Sequence, residues 1–164
     1  MRNILVTGII ACLFFSCQNN SQAYNVERVA PDFTLNTIDN RPIKLSEFYK
    51  NKKVVLIDFW ASWCNPCRKE NSYIVEAYQL FKDKGFDIIG VSLDDDRLKW
   101  SKAIIEDGIT WTQISELKRW NSEVRKLYNV NSIPSNFLVD STGKIIAVNL
   151  HGESLKEKLN ELLK

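Results

Sequence analysis

Apolar residues in the middle of the chain form two short continuous runs. The first covers residues 54–60 and is rich in β-branched side chains, and the second covers residues 86–93. Runs of this length and composition are typical of β-strands that are buried on both faces. Between them, one helical stripe repeats at i, i+3, i+4 and i+7, formed by Ile74, Ala77, Tyr78 and Phe81, and Gly85 ends the helix. The pattern predicts a β-α-β unit with two parallel strands.

A β-hairpin is predicted before this unit. Phe33 and Leu35 alternate with polar residues, as in a strand with one buried face. Residues 39–42 carry Asp, Asn and Pro, which favour a turn, and residues 43–45 supply the partner strand.

In the second half of the chain, segments with the periodicity of a helix alternate with segments typical of a strand. The predicted elements are a helix after the acidic triplet 94–96, a short strand at 111–114, a helix at 121–128, strands at 136–140 and 144–148, and a closing helix with Leu155, Leu159, Leu162 and Leu163 inward. In the first of these helices, we expect Leu98, Ile104 and Ile105 to face the core. This order of elements predicts an α/β fold with a mixed sheet and helices on both faces.

The N-terminal segment has the pattern of a targeting signal. Arg2 precedes an apolar stretch at residues 4–15, which has the length of a signal-peptide core and is too short to span a bilayer. Ser16 and Cys17 follow, and this arrangement resembles the lipobox of bacterial lipoproteins. The resemblance implies that Cys17 carries a lipid after cleavage. We therefore expect a signal peptide at 1–16, a tether at 17–29 and one folded domain at 30–164.

Two other interpretations of this segment stay open. A plain secretory signal has the same pattern up to the cleavage site. Cys12 also follows a small residue, but it would leave a very short apolar core. Each interpretation places the domain outside the cytosol.

Composition and charge narrow the classes of protein further. The 164 residues carry a formal charge of +2, 45% are hydrophobic and 26% are charged, as in one ordinary globular domain. Without Arg2 the charge is +1, so no basic surface for nucleic acid is expected. Of the four cysteines, Cys12 and Cys17 belong to the N-terminal segment, which leaves Cys64 and Cys67. With no other cysteine available for a structural disulfide framework, this Cys-x-x-Cys is interpreted as a working redox pair.

The chemistry of this pair follows from its position. Cys64 lies where the first buried strand gives way to a helix. The unpaired N–H groups and the dipole at the start of a helix stabilise a thiolate. Two thiols at this spacing can also close a disulfide and reopen it.

Several motifs together resemble the thioredoxin superfamily, and within it the TlpA/ResA-like thiol–disulfide oxidoreductases of bacterial envelopes. Residues 58–67, Asp-Phe-Trp-Ala-Ser-Trp-Cys-Asn-Pro-Cys, resemble the thioredoxin active-site signature. Residues 67–70, Cys-Arg-Lys-Glu, are similar to the TlpA/ResA form. Residues 30–33, Ala-Pro-Asp-Phe, resemble the opening of the redoxin and AhpC/TSA group, and residues 132–135 stand where the family places a cis-proline. The resemblance covers residues 30–163 and implies a thioredoxin fold with an N-terminal β-hairpin and a helical insertion.

The resemblance also implies roles around the cysteines. Cys64, exposed at the helix start, is expected to be the attacking thiolate, and Cys67 the resolving thiol. Pro66 is expected to keep the first helical turn rigid, and the neutral Asn65 cannot stabilise a thiolate as a cation would. Trp63 is either an apolar contact surface for the substrate or an ordinary core residue.

Two carboxylates and a proline complete the expected site. Asp58 matches the buried acid of thioredoxins and Glu70 the acid of the ResA-like group, and both are expected to exchange protons with Cys67. The family often has proline two residues after Glu70, where this chain has Ser72. A cis bond between Ile133 and Pro134 would let the backbone of Ile133 pair with an extended substrate. His151, the only histidine, is expected to end a strand without a catalytic role.

These observations predict an envelope reductase of protein disulfides that needs no cofactor beyond its own Cys64–Cys67 pair. Its expected partners are protein clients, a membrane thiol–electron donor, and the membrane itself through the lipid. The alternatives are an oxidase or isomerase of the same fold, a metal-binding lipoprotein, or a lipoprotein whose pair is inert. Two thiols and one histidine fall short of the four ligands of a zinc site. A peroxidase of the AhpC/TSA type would need Thr-x-x-Cys, which residues 60–64 do not supply.

Overall fold

The computed structural model describes residues 28–164, which form a seven-stranded mixed sheet with helices on both faces. Across the sheet the strand order is β2-β1-β5-β4-β3-β6-β7. The strands are β1 (Thr34–Thr37), β2 (Pro42–Lys44), β3 (Val54–Trp60), β4 (Phe86–Ser92), β5 (Thr112–Ser115), β6 (Ser135–Asp140) and β7 (Ile145–Val148). The predicted mixed sheet and N-terminal hairpin are confirmed.

Strand β3 is the centre of the core. All seven of its residues are buried, as its unbroken apolar pattern predicts. It pairs in parallel with β4 and antiparallel with β6, so that both of its edges are hydrogen-bonded. The residues at its carboxyl end therefore sit at a fixed place in the middle of the sheet.

The described residues contain five α-helices: α1 (Leu45–Phe48), α2 (Asn65–Phe81), α3 (Arg97–Glu106), α4 (Glu123–Leu127) and α5 (Glu153–Leu162). Helix α2 contacts α5, and Arg68 on α2 pairs with Glu106 at the end of α3. An aromatic cluster fills the space around the start of β1 and the end of α4, formed by Phe33, Phe59, Tyr128 and Phe137. Phe59 alternates along β3 with Asp58, so these two side chains point to opposite faces.

The inward face predicted for α3 is wrong for two of its three residues. Trp100 and Ala103 are buried, whereas Leu98 is 81% exposed and Ile105 is 77% exposed. The helix begins after Asp96, whose carboxylate accepts the N–H groups of the first turn and so sets which residues meet the sheet. Trp100 and Ala103 are also three residues apart, so they fit a helical stripe as well as the residues predicted to face the core. The hydrophobic pattern alone therefore does not decide which face of α3 is buried.

The first described contacts of the chain are made on the turn before β7. Val29 forms a β-bridge with Lys144, and the N–H of Ala30 donates to Gly143 O at 2.8 Å. The predicted signal peptide, lipidated Cys17 and most of the tether lie outside the described residues. Between residues 28 and 164, no helix is both long enough and apolar enough to cross a bilayer.

Candidate active site

Cys64 and Cys67 form a disulfide at the start of α2, with their Cα atoms 5.3 Å apart. Cys64 is the N-cap residue of this helix, and its sulfur accepts the backbone N–H of Cys67 at 3.2 Å. The sulfur thus occupies the position in which an N-cap side chain usually satisfies a free N–H group. The same N–H group is placed to stabilise a thiolate when the disulfide is reduced.

Cys64 is less exposed than the sequence analysis expected. It is 6% exposed and Cys67 is 1% exposed, so both are buried and the exposed position predicted for Cys64 is wrong. The carbonyl oxygen of Ile133 lies 3.8 Å from Cys64 Sγ and covers part of it. Cys64 is still the more exposed of the two cysteines, which fits the role of attacking thiol.

The segment that covers Cys64 contains the expected cis-proline. The peptide bond between Ile133 and Pro134 is cis, and both residues are half-buried. Ser135, which follows, donates its hydroxyl to Asn149 Oδ1 at 2.9 Å and holds the segment at the start of β6. Residues 133 and 134 are therefore brought together with the disulfide, although 69 positions separate Ile133 from Cys64.

Asp58 is a buried carboxylate in the middle of the sheet. It is 2% exposed, and its Oδ1 has no hydrogen-bond partner among the described residues. Burial, and after it the negative charge of Glu70, raises the pKa of Asp58 from 3.8 to about 7. A group with this pKa can both accept and return a proton near neutral pH.

Glu70 lies on α2 and links the helix to the loop before α5. Its Oε1 accepts the N–H of Gly152 at 2.7 Å and lies 3.9 Å from His151 Nδ1. Helix α2 continues through Ser72, which donates its hydroxyl to Lys69 O, so the absence of proline at this position does not interrupt the helix. The structure thus places His151 near an expected catalytic carboxylate, and no sequence signal connected these two residues.

Asp94 fixes the loop just before Cys64, a role that its place in the acidic triplet 94–96 does not predict. It is 1% exposed, and it accepts the N–H of Ser62 at 3.0 Å and the hydroxyl of Ser62 at 2.5 Å. Ser92 also donates its hydroxyl to Asp94, at 2.7 Å. Only Asp96 of the acidic triplet caps α3. Asp94 therefore joins the end of β4 to the turn that presents the disulfide.

The residues beside Cys64 differ in exposure. Pro66 lies in the first turn of α2 and is exposed. Trp63 is 37% exposed, and its ring lies 6.1 Å from that of Trp120. Trp63 is therefore a surface residue and not part of the core, which leaves it available for contact with another molecule. Between residues 28 and 164, no group of three or more His, Cys, Asp or Glu side chains is arranged to hold a metal ion.

A reversible disulfide at the head of the helix that follows the central strand defines the class of protein: this is a thiol–disulfide oxidoreductase with a thioredoxin-like fold. The sequence matches the Redoxin family over residues 25–163, and the chain belongs to that family. Within it, the chain is a ResA-like thiol–disulfide oxidoreductase with the Cys64–Cys67 pair.

Similar proteins agree in both sequence and structure. The thiol-disulfide oxidoreductase ResA of Bacillus thuringiensis subsp. konkukian is 32% identical over 161 residues, covering 98% of this chain and 90% of the relative. The thioredoxin domain of a thiol-disulfide oxidoreductase from Bacteroides vulgatus superposes with a TM-score of 0.79 at 37% identity, covering 85% of this chain and 99% of that one. The C-terminal domain of a thiol-disulfide oxidoreductase from Bacteroides thetaiotaomicron has the same TM-score and identity, covering 85% of this chain and 97% of that one.

Proposed function

We propose that the chain is a reductase of protein disulfides in the bacterial cell envelope. The observation that favours reduction over oxidation of the client is the set of contacts around Cys64 Sγ. These contacts are its partner sulfur, the N–H of Cys67 and the carbonyl of Ile133. The first cation after the pair, Arg68, is bound to Asp107 at 2.5 Å and to Glu106 at 3.1 Å. A pair whose thiolate lacks a cationic partner is a poorer oxidant, because its reduced form is less stabilised.

The reaction needs two exchange steps. The Cys64 thiolate attacks one sulfur of the client disulfide, forms a mixed disulfide and releases the first client thiolate. The Cys67 thiolate then attacks Cys64 Sγ and releases the second client thiolate, which leaves the Cys64–Cys67 disulfide. A dithiol donor reduces this disulfide again, and for an envelope protein we assign that step to a membrane thiol–electron carrier.

Asp58 and Glu70 are the proposed proton acceptors for Cys67. Cys67 must lose its proton before it can attack, and it is almost completely buried. The pKa of about 7 at Asp58 suits this transfer, and Glu70 lies close enough to raise that pKa through its charge. Trp63, Pro66, Ile133 and Pro134 border the disulfide, and we assign them to the binding of the client around its reacting cysteine.

A measured reduction potential tests the direction. The potentials of this group of proteins range from about −270 to about −120 mV, and we expect this chain to fall below about −150 mV. Equilibration of the purified domain with glutathione and dithiothreitol buffers, followed by alkylation of free thiols, gives the value. A potential above about −150 mV would contradict the reductase assignment and favour an oxidase or isomerase.

We also propose that Cys17 carries a lipid that anchors the domain in the cell envelope. The support is the apolar stretch at residues 4–15 followed by Ser16 and Cys17. Cells grown with a clickable fatty acid are expected to label the wild-type protein and the Cys12→Ser control, and both should fractionate with membranes. Labelling that persists in Cys17→Ser would rule out this site.

A further inference from the structure

We propose that Trp120 and Trp63 form a client-selecting surface, which we call the indole platform, and that it takes extended clients with an aromatic side chain about two residues from their reacting cysteine. The inference rests on the proposed function, because it names the class of protein disulfide that the same site reduces. Trp63 belongs to the active-site motif, whereas Trp120 is 57 positions away along the chain and lies outside every motif.

Trp63 and Trp120 are exposed, whereas the other three tryptophans are buried. Trp63 is 37% exposed and Trp120 is 39% exposed, whereas Trp60 and Trp100 are each 1% exposed. The centroids of the Trp63 and Trp120 rings are 6.1 Å apart with their planes at 54°, so the two indoles form one aromatic pair at the surface. Exposed indoles clustered beside a reactive group are typical of binding surfaces, where tryptophan contributes strongly to affinity.

Two arginines hold these rings in place. The guanidinium of Arg119 lies 5.3 Å from the Trp63 ring, and that of Arg125 lies 5.8 Å from the Trp120 ring, both within cation–π range. Arg119 also pairs with Asp95 at 3.5 Å, and Arg125 donates to Val130 O at 2.9 Å. Anchored on this side, the rings are pre-organised to meet a client with little loss of side-chain freedom.

The loop that carries Trp120 is itself fixed. Glu116 accepts the hydroxyl of Ser122 at 2.5 Å and the N–H of Val124 at 3.1 Å, which bridges the loop on both sides of Trp120. Leu117 and Arg119 have positive φ angles of 55° and 48°, a backbone conformation that residues other than glycine rarely adopt. The backbone is thus held in an unfavourable conformation that places Trp120 against Trp63.

The spacing of the two rings determines which side chain of the client contacts Trp120. Trp63 directly precedes Cys64, and an extended chain advances about 3.3 Å per residue. The two rings are 6.1 Å apart, so a client whose cysteine lies at Cys64, next to Trp63, brings to the Trp120 ring a side chain about two residues from the one at Trp63. The platform presents two indole rings side by side, so it selects for an aromatic face in the client.

Peptide disulfides test this selection. Two homodimers of a short peptide differ only in the residue two positions from the cysteine, Phe in one and Ser in the other, and dithiothreitol supplies the electrons. The wild-type protein is expected to reduce the Phe homodimer with a kcat/KM about 5- to 30-fold higher, mainly through KM. Trp120→Ala is expected to abolish this preference, Trp120→Phe to keep most of it, and neither to change reduction of bis(2-hydroxyethyl) disulfide by more than about twofold.

Leu80→Ala provides the matched control. Leu80 is 55% exposed near the far end of α2 and should leave the preference intact. A preference that survives in Trp120→Ala would overturn the inference, and so would an equal loss on the peptides and the small disulfide, which would assign Trp120 to positioning Cys64. A wild-type protein that reduces none of these disulfides would instead overturn the proposed function, which separates the two failures.

Discussion

Cys64→Ser is expected to reduce the rate of insulin disulfide reduction by about 10³-fold or more, because the attacking sulfur is lost. The disulfide lies at the start of α2, where Cys64 is the more exposed cysteine and its sulfur accepts the N–H of Cys67. A serine hydroxyl can keep this cap interaction, so the fold should be retained. Turbidity of the released insulin chain and a far-UV circular dichroism spectrum measure the two effects.

Cys67→Ser is expected to behave differently, because it removes the sulfur that resolves the mixed disulfide. Client proteins should accumulate on Cys64 and appear as adducts on a non-reducing gel that disappear after reduction. The double variant with serine at 64 and 67 is the control and should trap nothing. Normal turnover by Cys67→Ser would show that the two roles are assigned wrongly.

Asp58 is expected to make the stability of the folded protein strongly dependent on pH. Its pKa is about 7 in the folded protein, above its ordinary value of 3.8, so the folded state favours the protonated form. The contribution of Asp58 to the free energy of unfolding should therefore be greatest below about pH 4. It should fall by up to about 4 kcal/mol as the pH rises from there to about 7. Asp58→Asn removes this ionisation and should be the more stable protein at pH 8.

Urea unfolding of the oxidised proteins between pH 5 and pH 8 measures this difference. Asp140→Asn is a useful control, because Asp140 is a half-buried carboxylate with hydrogen-bond partners whose pKa is lowered and not raised; burial opposes this, and hydrogen bonds from Thr142 and Lys144 outweigh it. The gap between wild type and Asp58→Asn should widen with rising pH. A constant gap would mean that Asp58 is already ionised at pH 5.

Local patterns in the sequence were enough to predict most of the fold. The buried strand β3, the Cys-x-x-Cys and Glu70 lie within 17 consecutive residues, so one segment carries much of the expected site. Their relative positions follow from strand and helix geometry, which depends on neighbouring residues. The spacing between Cys64 and Pro134 was supplied by family resemblance, since no local rule relates residues so far apart.

The remaining parts depended on contacts between distant segments. Asp94 anchors Ser62 across 32 positions, and Trp120 reaches Trp63 only because of the turn that follows β5. In each case the local sequence supports a simpler explanation, a helix cap for Asp94 and an ordinary aromatic residue for Trp120. The direction in which α3 faces was also mispredicted, because Leu98 and Ile105 fit a helical stripe as well as the residues that are buried.

The β-bridge at Val29 sets the end of the domain at which the N-terminal segment joins it. Val29 pairs beside the turn that follows Asp140, and Asp140 lies opposite Val54 at the start of β3. The disulfide follows the other end of β3, about 20 Å away along the strand. With a lipid at Cys17, the chain would join the domain at the end of β3 opposite the disulfide, which keeps the reducing end away from the point of attachment.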